Sequence, residues 1–306
     1  MGRAITDQFL WNQITQNKKF RQLFEYLEKD KKACFEHRKD NKPVLYYDSK
    51  KMFVFEAMSQ GGKRIRLSFP LYYRIKGSKE YEHIELDDID DWKETIKRYS
   101  DIQSEHIMKV QESLGYKEDR WQFDLVNYFN YESLGANDFY VINTEYGQEG
   151  DNNRNFVDLV LLHGLKTGTP HIVLCELKYG DNSLKDHGIN DHLSQYQGYL
   201  DNPEKLNRLV ADMTRVFVQR CELGLIRVGS HESYSNLEIR PEDTTAMIVV
   251  REHKPRSERL NNEMLLVREN KKITQIKDRT KIFVYNEGCY DPRNPFNEDY
   301  CIEGFR

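Results

Sequence analysis

Residues 155–180 read NFVDLVLLHGLKTGTPHIVLCELKYG, and this stretch decides how the rest of the chain is understood. Two apolar runs, 155–163 and 171–179, flank a turn-like segment from Gly164 to Pro170. Each run has the length of a strand and is dense in Val, Leu and Ile. Paired as a hairpin, the start of the first run lies beside the end of the second, which places Asp158 next to Glu176. Side chains alternate along a strand, so Glu176 and Lys178 point to one face and Leu177 to the other. Two carboxylates and an ammonium at one strand end are costly to bury unpaired. Together they are chemically useful. Convergent carboxylates are ligands for a hard divalent ion such as Mg²⁺. A lysine beside them can stabilise developing charge or position an attacking water.

Outward from this hairpin, residues 118–134 predict a helix. Trp121, Leu125, Tyr128 and Phe129 form its apolar stripe, with Gly135 as a stop. Residues 138–146 predict a strand. Residues 183–201 and 203–222 predict two helices, with Pro203 in the first turn of the second. Leu206, Leu209, Val210, Met213, Val216 and Phe217 give that helix an ordinary core stripe. Residues 245–251 predict a further strand. In the first of the two helices Gln195 and Tyr199 are one turn apart and share a face.

This arrangement resembles the PD-(D/E)XK nuclease superfamily, the restriction-endonuclease-like fold. Asp158 in VDLVL and Glu176-Leu177-Lys178 in VLCELKYG carry the resemblance. Gln195 and Tyr199 in QYQGY are similar to the Q-x-x-x-Y motif of the RecB-like exonuclease branch. Val157 stands where many members have proline. The chain has two other E-x-K triplets, at Glu252 and Glu269, but neither follows an acid-bearing strand and precedes such a helix. The resemblance spans residues 117–252, less than half the chain. It implies an α/β (α+β) fold with an αβββαβ core, a mixed sheet flanked by helices. It implies Mg²⁺ or Mn²⁺ held by Asp158 and Glu176, with the Leu177 carbonyl as a third ligand. Lys178 would assist the water or the transition state, and Gln195 and Tyr199 would shape the site and contact nucleic acid. Members often carry one more acid on or near the first helix. Glu118, at the helix start, and Glu145, near the end of the first strand, are the candidates.

Composition agrees with a folded globular chain and excludes several alternatives. The 306 residues carry 46 Lys and Arg against 50 Asp and Glu, and 12% are aromatic, which argues against disorder. No run approaches the ~18 apolar residues of a membrane span. The N-terminus lacks the apolar stretch of a signal peptide, although MGRAIT fits the loose myristoylation pattern at Gly2. Five cysteines without a C-x-x-C pair predict free thiols and a cytoplasmic protein. Phosphate-binding glycine loops and the G-x-S-x-G elbow are missing from the sequence. Residues 186–192, DHGINDH, place His187 and Asp191 at chelating spacing but read as a polar helix face beside the site. From it His187 or His192 could reach a phosphate.

The flanking zones match no family pattern. Residues 4–37 predict helix, followed by a meander of strands at 44–48, 51–57, 64–69 and 71–75. Residues 80–91 hold seven acids and no Lys or Arg and predict a solvated connector. Residues 88–116 predict helix. The zone 253–306 predicts strands at 263–269 and 281–287 and an irregular tail. Residues 251–281 hold ten Lys or Arg against five acids, a surface suited to phosphates. Three regions follow: 1–116 of unknown role, a nuclease-like core at 117–252, and a β-rich extension at 253–306. The function expected is a Mg²⁺- or Mn²⁺-dependent deoxyribonuclease serving repair, restriction or anti-phage defence. Its partners would be DNA and a second copy or a partner subunit, with no membrane. The alternative is a catalytically silent nuclease-fold module that binds nucleic acid or assembles with protein.

Overall fold

A computed structural model describes residues 2–59, 63–73, 78–110, 114–133, 138–147, 156–185, 188–228, 234–254 and 257–302. It is a mixed α/β protein with two sheets and eight α-helices among the described residues. The chain divides into two compact units, Met1–Phe123 with Arg215–Arg227, and Asp124–Thr214 with Val228–Arg306.

The first unit begins with α1 (Gln8–Gln16) and α2 (Lys18–Leu27). Asp7 caps the first by accepting the Leu10 N–H, and Asn17 caps the second through the Lys19 N–H. A five-stranded antiparallel meander follows in sequence order: β1 (Ala33–Glu36), β2 (Val44–Tyr47), β3 (Lys50–Met58), β4 (Arg64–Pro70) and β5 (Tyr81–Glu85). Then come α3 (Trp92–Val110) and α4 (Leu114–Asn127). Leu10, Ile14, Phe20, Leu23 and Leu27 recur at helical spacing and bury against the inward residues of the sheet, including Phe35, Phe53, Phe55 and Leu67. Below this core, Arg220 donates to Glu36 at 2.7 Å, both fully buried.

Three expectations fail in this unit. The helix predicted over 4–37 ends at Leu27, because 33–36 pairs with β2 from Ala33↔Tyr47 to Glu36↔Val44. The strand predicted at 71–75 is a 3₁₀ turn at Leu71–Tyr73, with residues 74–77 outside the described set. The acidic stretch is not wholly a connector. Its residues 81–85 form β5, paired with β4, where Arg66 lies opposite Glu85 and Arg64 Nη1 comes within 3.8 Å of it. Cross-strand charge pairing makes an acidic strand tolerable there.

The second unit is built on six strands: β6 (Phe139–Tyr146), β7 (Val157–His163), β8 (His171–Tyr179), β9 (Thr245–His253), β10 (Thr280–Asn286) and β11 (Cys301–Ile302). Their order in space is β11-β10-β9-β8-β7-β6. β6, β7 and β8 are antiparallel, β8, β9 and β10 are parallel, and β11 returns antiparallel. β8 is central and buried along nearly its whole length, which explains its unbroken apolar run. The helix before β6 finishes in a π-helical turn at Tyr128–Glu132. Asn130 in that turn exchanges two 2.9 Å hydrogen bonds with the backbone of Val141, where the β6 register slips. The Asn130 side chain thereby satisfies both backbone groups of Val141 beside the bulge.

The helices α5 (Ile189–Leu200), α6 (Pro203–Glu222), α7 (Glu258–Glu269) and α8 (Thr274–Asp278) complete the structure. The strand predicted at 263–269 is the helix α7. The run MLLV suits either state, but the Ser257 side chain accepts from the Leu260 N–H and starts a helix. Leu260 and Val267, two turns apart, then share the buried face. Residues 253–306, read as a β-rich C-terminal extension, fall within the second unit, with β10 hydrogen-bonded directly to β9. They also brace α5. Glu263 accepts the Asn190 N–H at its start, and Gln197 accepts the N–H groups of Gln275 and Ile276.

Candidate active site

The register of β7 and β8, Leu159↔Cys175, continues to place Asp158 opposite Glu176. Asp158 is half-buried, and its Oδ2 accepts the backbone N–H of Leu177 at 2.8 Å. Glu176 and Lys178 are both buried, with exposures of 3% and 8%. Lys178 Nζ donates to Glu176 Oε1 at 2.9 Å. The residues of the hairpin constellation, Asp158, Glu176, Leu177 and Lys178, are therefore brought together. They sit at the carboxyl end of β8, beside the parallel strand β9. Gly180 turns the chain away at φ 71°, a left-handed conformation that glycine adopts without strain. Its N–H is tied to the Arg251 carbonyl at 2.7 Å.

Two further side chains, both from α5, complete the environment of Glu176. His192 Nε2 lies 3.0 Å from Glu176 Oε1 and 2.9 Å from Lys178 Nζ. The Tyr196 hydroxyl donates to Glu176 Oε2 at 3.2 Å. His192 and Tyr196 are one helical turn apart, and both are buried. Burial alone pushes the Glu176 carboxyl up, but His192 and then Lys178 pull harder, leaving it below the ordinary carboxylate value. Burial, and then the charges of Glu176 and Asp158, drive the Tyr196 phenol far above its ordinary value, so it stays a donor. The same causes raise the Cys175 thiol, which makes it unreactive.

Sequence reasoning missed His192 and Tyr196 as partners of Glu176. It placed 186–192 on a polar helix face, whereas His192 is 6% exposed and faces the carboxylate. Asp186 and His187 lie outside the described residues, and Asp191 is exposed. The usable signal was helical spacing. His192, Tyr196 and Tyr199 fall along one face of α5, the face that also carries the predicted Q-x-x-x-Y pair. Of that pair, Gln195 is half-buried and Tyr199 fully buried, with the Lys205 ammonium 4.3 Å above its ring.

The two candidates for an additional acid separate. Glu118 lies in α4, within the first unit. Glu145 lies in β6, between the pairs Thr144↔Leu159 and Tyr146↔Val157, and so stands across from Asp158. It is exposed and has φ 48°.

The donors suit a hard ion in kind. Mg²⁺ is commonly held by one or two carboxylates, with water and substrate phosphate completing its shell. Asp158 and Glu176 match that requirement, and the Leu177 carbonyl is an oxygen donor between them in sequence. A larger all-protein cage is not assembled: among the described residues no group of three or more His, Cys, Asp or Glu is placed to hold a metal. Nor is any helix among them long and apolar enough to cross a membrane. Comparison with models of known protein families, with curated proteins and with solved structures finds no match to this chain.

Proposed function

We propose that the chain is a Mg²⁺- or Mn²⁺-dependent nuclease that hydrolyses phosphodiester bonds, with DNA as its substrate. The observation that carries this reading is the convergence of Asp158, Glu176 and Lys178 at the end of β8. The order α4, β6, β7, β8, α5, α6, β9, with β9 parallel to β8, supports a restriction-endonuclease-like αβββαβ core with one added helix, α6, before the last strand. Asp158 and Glu176 would hold the ion, with the Leu177 carbonyl beside them. When bound, such an ion polarises a phosphoryl oxygen and makes its water more acidic. Lys178 orients the attacking water or meets the charge that develops on the phosphate. Tyr196 keeps the Glu176 carboxylate aimed; half-buried Gln195 would meet a nucleic acid, while Tyr199, fully buried, supports that face of α5 from within and does not itself reach the substrate. A second copy or a partner subunit would let such a site cut both strands, and the cytoplasm suits its free thiols.

A second reading, a silent nuclease-fold module, has one observation in its favour. Both oxygens of Glu176 already have partners within the chain, in Lys178, His192 and Tyr196.

The discriminating experiment is cleavage of single- and double-stranded DNA, linear and circular, with Mg²⁺, Mn²⁺ or EDTA. Wild type is compared with Glu176→Ala and Lys178→Ala. Metal-dependent cutting lost in both variants is the expected result. DNA binding in EDTA without cutting under any condition would instead select the silent module. Cutting that persists in both variants would overturn the site.

A further inference from the structure

We propose that His163 and His171 form a binding site for a borderline divalent transition-metal ion such as Zn²⁺, at the end of the β7–β8 hairpin opposite to Asp158 and Glu176. The proposal does not depend on the nuclease reading.

The two histidines are direct cross-strand partners, the last residue of β7 facing the first of β8. Opposed residues of an antiparallel pair project from the same face, so the imidazoles stand side by side. Their ring centroids are 5.1 Å apart and the rings are perpendicular, at 90°. With metal–nitrogen bonds of about 2.0–2.1 Å, each centroid would lie ~3.2 Å from a shared ion, and centroids at the observed spacing then subtend an angle near the tetrahedral one. Five positions along β7 separate His163 from Asp158. That is about 17 Å at the rise of a strand, so the pair is distinct from the candidate active site.

Both rings are held in place. His163 stacks on Phe139, its partner on β6, with centroids 4.1 Å apart and planes 18° apart. His171 Nδ1 is 3.0 Å from the Thr169 carbonyl oxygen. A carbonyl only accepts, so Nδ1 carries the proton and the lone pair of the neutral ring is on Nε2. Donation from one ring nitrogen to a backbone carbonyl is how metal-binding imidazoles are commonly oriented. The turn is shaped for this contact: Gly164 has φ 83°, and a side chain there would clash with the Thr169 carbonyl.

The surroundings favour a cation on neutral imidazoles. Burial, and then His171, hold the His163 ring below its ordinary pKa, so protons compete less for it. Asp138, beside Phe139 in sequence, is buried, and its charge acts on His163. Its Oδ1 accepts the Lys166 N–H at 2.9 Å, but its Oδ2 is buried without a hydrogen-bond partner among the described residues. Such a carboxylate oxygen is costly to bury unless a cation balances it. The opposing charge, Lys281, is itself paired with Glu298 at 2.5 Å. Imidazoles suit Zn²⁺, Ni²⁺ and Cu²⁺, whereas Mg²⁺ prefers oxygen. Water would complete the shell, since no third protein ligand is in place among the described residues.

The test uses untagged, full-length protein at mildly alkaline pH, with Zn²⁺ as the probe and Mg²⁺ in excess. Carbethoxylation of individual histidines is followed by mass spectrometry, and Zn²⁺ affinity by equilibrium dialysis. Wild type is compared with His163→Phe, which keeps the stack on Phe139, with His171→Asn, which keeps a donor for the Thr169 carbonyl, and with Glu176→Gln. The expected result is that Zn²⁺ protects His163 and His171 in wild type and in Glu176→Gln. Each histidine variant should bind Zn²⁺ about tenfold more weakly or worse, the scale seen even when an outer-shell partner of a metal ligand is lost. Protection confined to His192, with binding lost in Glu176→Gln and kept in the histidine variants, would put the ion in the candidate active site and overturn the proposal. Undiminished reactivity of His163 and His171 in an excess of Zn²⁺ over protein would overturn it too. If a histidine variant melts early, the protection pattern of wild type decides, because it needs no substitution.

Discussion

Asp158 Oδ2 accepts the backbone N–H of Leu177 at 2.8 Å, across 19 positions of sequence. A side chain from β7 thereby fixes the peptide that lies between Glu176 and Lys178. Under the proposed function Asp158 would serve twice, as an acceptor for the hairpin and as an anionic ligand for the ion. Asp158→Asn keeps an acceptor oxygen and is expected to fold with a melting temperature near that of wild type. It should still lose cleavage by a factor of about 10² or more, the scale seen when an electrostatic contact to the transition state is removed. Single-turnover cleavage with Mn²⁺ beside a thermal melt checks this. Wild-type cutting by Asp158→Asn would show that the charge of Asp158 is not used.

Tyr196→Phe removes one hydroxyl and leaves the ring in place. Its partner, Glu176 Oε2, is buried and charged, and such bonds are worth about 1.5–3 kcal/mol. A destabilisation of that order should appear as a lowered denaturant midpoint with an unchanged slope. If Glu176 holds an ion as proposed, cleavage should also fall by about 10- to 100-fold, the scale for residues that orient a metal ligand.

Gly188 precedes α5, and a side chain there would clash with the Glu263 carboxylate. That carboxylate accepts the Asn190 N–H at 3.1 Å. Gly188→Ala should therefore swing Glu263 away and cost about 1 kcal/mol, the worth of a lost helix cap. Glu263→Ala should cost about the same, and the double variant should cost no more than either, because both act on one interaction. Additive losses in chemical denaturation would show that Gly188 matters for another reason.

Acid should destabilise the first unit through His37. Burial, and secondarily the Arg220 charge, hold its pKa at about 3, down from 6.5. The unfolded chain takes up this proton below about pH 6.5, and the folded chain does so only near pH 3. This contribution to stability is complete above that window and declines as the pH falls through it, by up to ~1.4 kcal/mol per pH unit. His37→Gln should flatten the loss of stability between pH 6 and 4, measured by denaturant titration. A limb as steep as that of wild type would exclude His37 as its source.

The nearby pair of Arg220 and Glu36 should be costly to break. Arg220→Met leaves Glu36 buried without the guanidinium that donates to it at 2.7 Å. A loss of about 3–5 kcal/mol is expected. A change below 1 kcal/mol in the unfolding free energy would show that water or another side chain replaces the arginine.

Much of the second unit was legible in the linear chain. The runs at 139–146, 157–163, 171–179 and 245–253 are strands because Val, Ile and Leu alternate or cluster over strand lengths between clear turns. Pro203 opens α6 because its fixed φ suits a first helical turn. Asp158, Glu176 and Lys178 could be brought together on paper, since hairpin register and the period of a strand are local rules. The segment 263–269 was misread because MLLV is apolar under either period. The deciding bond, from the Leu260 N–H to Ser257, lies outside that run. The strand at 81–85 was hidden because its stability comes from β4, not from its own acidic residues.

Composition and periodicity by themselves determined a mixed α/β chain, the central hairpin, and a carboxylate pair with a lysine at one strand end. These follow from propensity, turn chemistry and alternation, which act over a few residues. Tertiary structure alone decided that Glu176 is buried with His192 and Tyr196, that 253–306 braces α5, and that β10 extends the sheet beside β9. Each of these depends on contacts between residues far apart in sequence. Their energy comes from desolvating groups together, and no local pattern in the chain records which groups those will be.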